Sequence, residues 1–121
     1  MTVSVYPQIS VQPPGNDLID ERINGGGNVT ISSKPLRRSV TIYGSNIPTV
    51  ANIQGGYVGQ TLWVQYKQGP TPSALTFGSA IVLGSVSYTS TNTAGARDVM
   101  KLLCLDGFNW GLILAVTGFT V

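Results

Sequence analysis

The sequence predicts an all-β fold, specifically an antiparallel β-sandwich, jelly-roll-like, with an extended N-terminal arm. Three observations carry this expectation. Short runs of alternating or β-branched residues recur with turn residues about every 8–12 positions, as in sandwiches and barrels. No useful length of chain repeats its apolar residues at helical spacing. Asp106-Gly107 lies between two apolar runs, which is among the strongest short-range hairpin signals, and a two-residue type I′ turn is expected there.

Residues 1–27 read as an arm with a Gly-rich hinge, and residues 28–121 as the sandwich domain. Val3, Val5, Ile9 and Val11 alternate with polar neighbours, and Pro7 interrupts the run. Proline removes a ladder donor, so this stretch suits an edge strand or extended arm rather than a central strand. Residues 16–22 are the one plausible helical turn, with Asn16 or Asp17 as its cap. Gly25-Gly26-Gly27 follows as a hinge. The pattern serves either an arm that docks on a partner or a strand that folds back along its own domain.

The body begins with Val29 and Ile31, then Val40 and Ile42, each pair alternating with polar residues. Residues 49–53 form another strand, closed by Gln54-Gly55-Gly56. Leu62, Val64 and Tyr66 share one face of a period-2 strand whose other face carries Trp63, Gln65 and Lys67. Residues 74–77 and 80–83 read as short strands split by Gly78-Ser79, with 86–89 as an extension. Residues 91–95 are loop-like and 96–100 suit a half-turn. Residues 102–105 and 108–116 then form the C-terminal hairpin, the densest apolar sequence in the chain, and the last residues are expected to pack.

A chain of 121 residues is one domain by length. Charged residues make up 10%, well under the usual quarter. So little charge favours contact with other subunits, although hydroxyls and amides can also keep such a surface soluble. A net charge of +2 is too small to imply nucleic acid. No run of about 18 apolar residues suggests a membrane span. No secretory leader is visible, so synthesis in the cytoplasm is expected. Cys104, the sole cysteine, reads as a small core hydrophobe.

Catalytic chemistry is poorly provided for, and no catalytic residue, metal site or cofactor is expected. Without histidine, the usual acyl-transfer devices are missing. One cysteine cannot build a zinc site. The acids Asp17, Asp20 and Glu21 match no calcium loop and read as a solvated turn. Asp106 is engaged in a turn, and Asp98 stands nearly alone in the body, beside Arg97 as an exposed ion pair. Lys34, Arg37 and Arg38 form the one basic cluster, either a solvated loop or a contact to an acidic partner. Trp110 reads as core. Trp63 is as readily a surface residue, able to stack on a sugar ring.

A longer pattern runs from Val50 onward. It comprises Ile53 with Gly55, Gly56, Gly59, Gln60 and Leu62, then Leu75, Ile81, Leu83 and Gly84, then Asp98, Leu102, Asp106, Gly107, Trp110 and Ile113. It resembles the small β-sandwich domains of tailed-bacteriophage virions, the capsid decoration (cement) proteins and the head domains of tail appendages. A polar stretch at 88–95, before Asp98, departs from that pattern. The resemblance implies a non-enzymatic homotrimer on the capsid surface, bound to the major capsid protein. Val3, Val5, Tyr6, Ile9, Val11, Lys34, Arg37 and Arg38 are the expected capsid contacts. The alternative it implies is a receptor-binding fibre tip in which Tyr57 and Trp63 stack on host glycan.

Overall fold

The computed structural model describes residues 19–33 and 37–120. They form nine strands: β1 (Ile19–Asn24), β2 (Gly27–Ser32), β3 (Arg37–Tyr43), β4 (Thr49–Gln54), β5 (Thr61–Lys67), β6 (Leu75–Phe77), β7 (Ile81–Leu83), β8 (Ala96–Cys104) and β9 (Trp110–Thr120). A six-stranded sheet has the order β1-β3-β5-β8-β9-β7, and a three-stranded sheet the order β2-β4-β6. The all-β expectation therefore holds.

The pairing differs from the expected antiparallel order. Only β5–β8 and β8–β9 are antiparallel. From β1 to β6 the chain alternates between the sheets, and each strand lies parallel to the one two before it. The first six strands thus form three stacked coils. A jelly roll is built from antiparallel strands, so that description does not apply to these coils. The coils are of unequal length: Asp20 pairs with Ser39 and Ser39 with Trp63, offsets of 19 and 24 residues. Unequal spacing leaves no fixed repeat for the sequence to display.

Part of the expected arm is sheet. Ile19–Asn24 pairs with β3 where a helical turn was expected, and the Gly25-Gly26-Gly27 hinge is a tight turn into β2. Gly25 N donates to Tyr43 O at 2.7 Å and Gly26 N to Thr49 Oγ1 at 2.7 Å. Asp20 and Glu21, expected in a solvated turn, occupy successive positions of β1, opposite Ser39 and Val40. Residues 1–18 and 34–36 lie outside the described residues.

One apolar core joins the two sheets. Ile31, Ala51, Ile53 and Leu75 come from the smaller sheet. Val40, Ile42, Leu62, Val64, Tyr66, Met100, Leu102, Cys104, Trp110 and Leu112 come from the larger. Strand β5 shows the strict alternation its sequence predicts, and β4 and β8 alternate as strictly. Cys104 is buried and Trp110 fully so, as expected. The Trp110 indole also donates from Nε1 to Gly55 O at 3.0 Å.

Gly56 sits against that indole. A Cβ at position 56 would lie 2.6 Å from Trp110 Cζ2, and the backbone there has φ of +119°. Gly56→Ala is therefore expected to destabilise the protein by about 2–3 kcal/mol, through overpacking and backbone strain together. Chemical denaturation would read this, and a change within about 0.5 kcal/mol would show that the indole moves aside freely.

The C-terminal hairpin exists, but its turn is longer than expected. Gly107 has φ of +89°, yet among the described residues, Asp106 included, no non-glycine residue has positive φ, so a type I′ turn at Asp106-Gly107 is excluded. Instead Leu105 N donates to Asn109 O at 2.8 Å. The Asp106 carboxylate accepts from Asn109 N at 2.6 Å and Phe108 N at 2.9 Å. These donors hold its carboxyl below the usual carboxylate range. Residues 96–100, expected as a half-turn, are the first half of β8, and residues 86–89 are not strand.

Candidate functional site

Two irregularities in β9 decide which side chains reach the surface. Lys101 pairs with Leu114 but Leu102 with Leu112, so Ile113 is an extra residue, a β-bulge. Leu112 faces the core. Without the bulge Leu114 would follow it inward; with it, Ala115 packs against the core and Leu114 turns out. Further along, Val99 pairs with Val116 and Arg97 with Phe119, leaving Thr117 and Gly118 opposite Asp98. Gly118, at φ +85°, aims its N–H at the Asp98 carboxylate, 3.0 Å away.

The outward side of β5, β8 and β9 can be read from the register. One row runs Trp63, Lys101, Leu114; the next Gln65, Val99, Val116; the third Lys67, Arg97, Phe119. Leu114 and Val116 are each 41% exposed, Phe119 46% and Trp63 38%. Lys101 Nζ stands 5.4 Å from the Trp63 ring centroid, a cation–π contact. Arg97 donates to Gln65 Oε1 at 2.6 Å, while its buried Nε has no hydrogen-bond partner. Lys67 donates to Gly95 O at 2.7 Å. This face therefore combines exposed apolar side chains with three cations, and no acid stands in its three rows.

A second exposed group lies at the β8–β9 turn. The 55–60 loop and the 105–109 turn adjoin: Gly59 N donates to Cys104 O at 2.9 Å, and Gly107 approaches Gly56 O. Tyr57, Val58, Leu105 and Phe108 all project there, and Phe108 is 79% exposed. Of these four, only Tyr57 is singled out by the sequence, as a candidate to stack on glycan; Leu105 and Phe108 read there as strand. The last residues of β9, expected to pack, are exposed.

Asp98 is not the exposed ion-pair member that its neighbour Arg97 suggested. The two side chains lie on opposite faces of β8, and Asp98 is buried. Its carboxylate accepts from Tyr88 Oη at 2.7 Å, Thr91 N at 2.9 Å, Thr91 Oγ1 at 2.6 Å and Gly118 N at 3.0 Å. Burial pushes its pKa up, but the donors from Thr91, Tyr88 and Gly118 outweigh it and hold the carboxyl below its ordinary value. Four donors fill a carboxylate's lone pairs, so Asp98 ties the 84–95 loop to the β9 bulge. Tyr88 is pushed far above an ordinary phenol by burial and then by Asp98.

Gln68 extends this polar cluster. Its buried amide donates to Ser73 O at 2.7 Å and Thr91 O at 2.8 Å and accepts from Ser73 N at 3.0 Å. Tyr66 Oη donates to Ser73 O at 3.0 Å. The cluster pins two loops over one end of the core.

The two residues expected to stack on glycan lie on different elements, Tyr57 in the β4–β5 loop and Trp63 on the sheet face. Val3, Val5, Tyr6, Ile9, Val11 and Lys34 lie outside the described residues, as do the side chains of Arg37 and Arg38. Comparison with protein families, with curated proteins and with solved structures gives no match.

Proposed function

We propose that this chain is a structural virion protein without enzymatic activity, a capsid decoration protein that works as a homotrimer on a phage head. The observation that supports this reading most is the outward face of β5, β8 and β9. Exposed Trp63, Leu114, Val116 and Phe119 alternate there with Lys67, Arg97 and Lys101. Such a face fits a protein surface that offers apolar contacts and acidic partners, as an assembled shell subunit does. Light scattering is expected to give a mass near three chains, and a monomer at micromolar concentration would overturn the reading. Lys101→Glu, which reverses charge at the centre of the face, is expected to weaken binding to undecorated shells at least tenfold without altering the unfolding midpoint.

The second reading, a fibre-tip adhesin, is favoured by the exposed Tyr57 and Phe108 on adjoining loops. Aromatic rings held on anchored loops can stack on sugars. Saturable binding of the isolated protein to host cells, abolished by Tyr57→Ala, would promote it over the first.

A further inference from the structure

An uncharged apolar surface occupies one corner of the molecule, around the β8–β9 turn and β7. Tyr57, Val58, Leu105 and Phe108 project there from two adjoining turns. Leu105 carries the surface onto the sheet. A Cβ at position 111 would lie 3.3 Å from Leu105 Cδ1, so Leu105 covers Gly111, and Gly111 pairs with Val82. Val82 and Leu83 are exposed on β7, the last strand of its sheet. These six side chains are 40–79% exposed. With about 150–250 Å² in a whole aromatic side chain, together they present on the order of several hundred Å². Monomeric proteins rarely leave a larger apolar patch open. A standard interface takes about 800 Å² from each partner, so the corner has the scale of an interface.

The two turns are held by polar groups, not by these side chains. Buried Gln60 accepts from Tyr57 N through Oε1 at 3.2 Å, and Gly59 N donates to Cys104 O at 2.9 Å. The Asp106 carboxylate braces the other turn through Phe108 N and Asn109 N. Apolar side chains are thus presented on a fixed frame, and a preorganised surface loses little entropy on binding.

We propose that this corner is where copies of the chain meet, with Tyr57, Val58 and Phe108 of one copy packed against a second. A second copy as the occupant rests on the homotrimer reading. A rotation axis beside the corner brings the same side chains of every copy together. A patch with little charge suits that contact. The stretches 55–60, 78–84 and 103–113 hold one charged residue, Asp106. Its carboxylate is turned to the N–H groups of its own turn. The outward face of β5, β8 and β9 does not suit it, because Lys67, Arg97 and Lys101 would approach their own copies and like charges repel. That face is left for an acidic partner, and the corner for the chain itself.

Light scattering of the full-length protein over a concentration series tests this. Val58→Asp/Phe108→Asp places charge at positions 68% and 79% exposed, where the fold does not depend on the side chain. This pair is expected to turn three-chain particles into single chains, raising the concentration for association at least about a hundredfold. Tyr57→Ser/Phe108→Ser adds no charge and serves where the acidic pair does not fold; it is expected to raise that concentration at least about tenfold. Lys101→Glu is expected to leave the mass at three chains. Wild-type mass in both corner variants would overturn the self-contact and leave the trimer standing. If those variants kept their mass and lost binding to shells, the corner would belong to the shell; if they lost binding to host cells, to glycan. A fall in mass with Lys101→Glu alone would move the contact to the sheet face. A wild-type monomer at every concentration would overturn the homotrimer reading, and the corner contact with it.

Discussion

Trp110→Ala is expected to lower stability by about 3–5 kcal/mol, and the thermal midpoint by roughly 10–20 °C. The indole is fully buried between the sheets and is among the largest side chains in the core. Its loss leaves a cavity bounded by Gly56 and Cys104, and Gly55 O loses its donor. Backbone around the β4–β5 loop cannot collapse into that space without breaking the Gly59 to Cys104 hydrogen bond. Trp110→Phe keeps an aromatic ring and loses the N–H, so it should cost about 1–2 kcal/mol. A Trp110→Ala loss under about 1 kcal/mol would contradict this packing.

Asp98→Asn is the second large effect. An amide oxygen replaces one carboxylate oxygen, and an NH2 group replaces the other, facing donors from Thr91, Tyr88 or Gly118. The loss is expected to be about 2–4 kcal/mol at neutral pH, with faster exchange of the Thr91 and Gly118 amides. Its pH dependence has a definite sign. The Asp98 carboxyl is held below its ordinary value in the folded protein. The stabilisation is therefore complete above the unfolded pKa of about 4 and is lost as pH falls through the folded value. Asp98→Asn should flatten the acid limb of the stability curve; an unchanged acid limb would contradict the assignment. Tyr88 has the opposite limb. Its pKa is raised in the folded state, so its contribution is complete below about pH 10 and is lost as pH rises beyond it.

The strands most legible in the sequence are those whose alternation is set by burial on one face. Leu62, Val64 and Tyr66 in β5 face the core as their spacing predicts, and Thr49, Ala51 and Ile53 do the same in the strand expected at 49–53. Parallel pairing left no comparable mark. The local alternation of β3 reads the same whether its neighbours run with it or against it, and a DG hairpin speaks only for β8 and β9. Residues 96–100 hid a strand because Ala96 and Asp98 are small or charged; Asp98 is buried only because Thr91, Tyr88 and Gly118 come to it from elsewhere in the chain. The apolar surface was hidden for a related reason. Leu114 and Val116 read as core, and a single extra residue at Ile113 turns them outward. A bulge is set by the partner strand, which local sequence does not report.

The parallel coils also fix how the molecule must be made. Partners in β1, β3 and β5 are separated by 19 and 24 residues, so no coil can close before the next has been laid down. The β8–β9 hairpin, whose nearest partners Cys104 and Trp110 are six positions apart, carries no such delay. Refolding should therefore run from the C-terminal half backward, with late closure of the first coil, on the millisecond-to-second scale of chains dominated by distant contacts. During synthesis the order is reversed: the first coils leave the ribosome while the strands that template them are still unwritten, and the nascent chain must wait with its strand edges open.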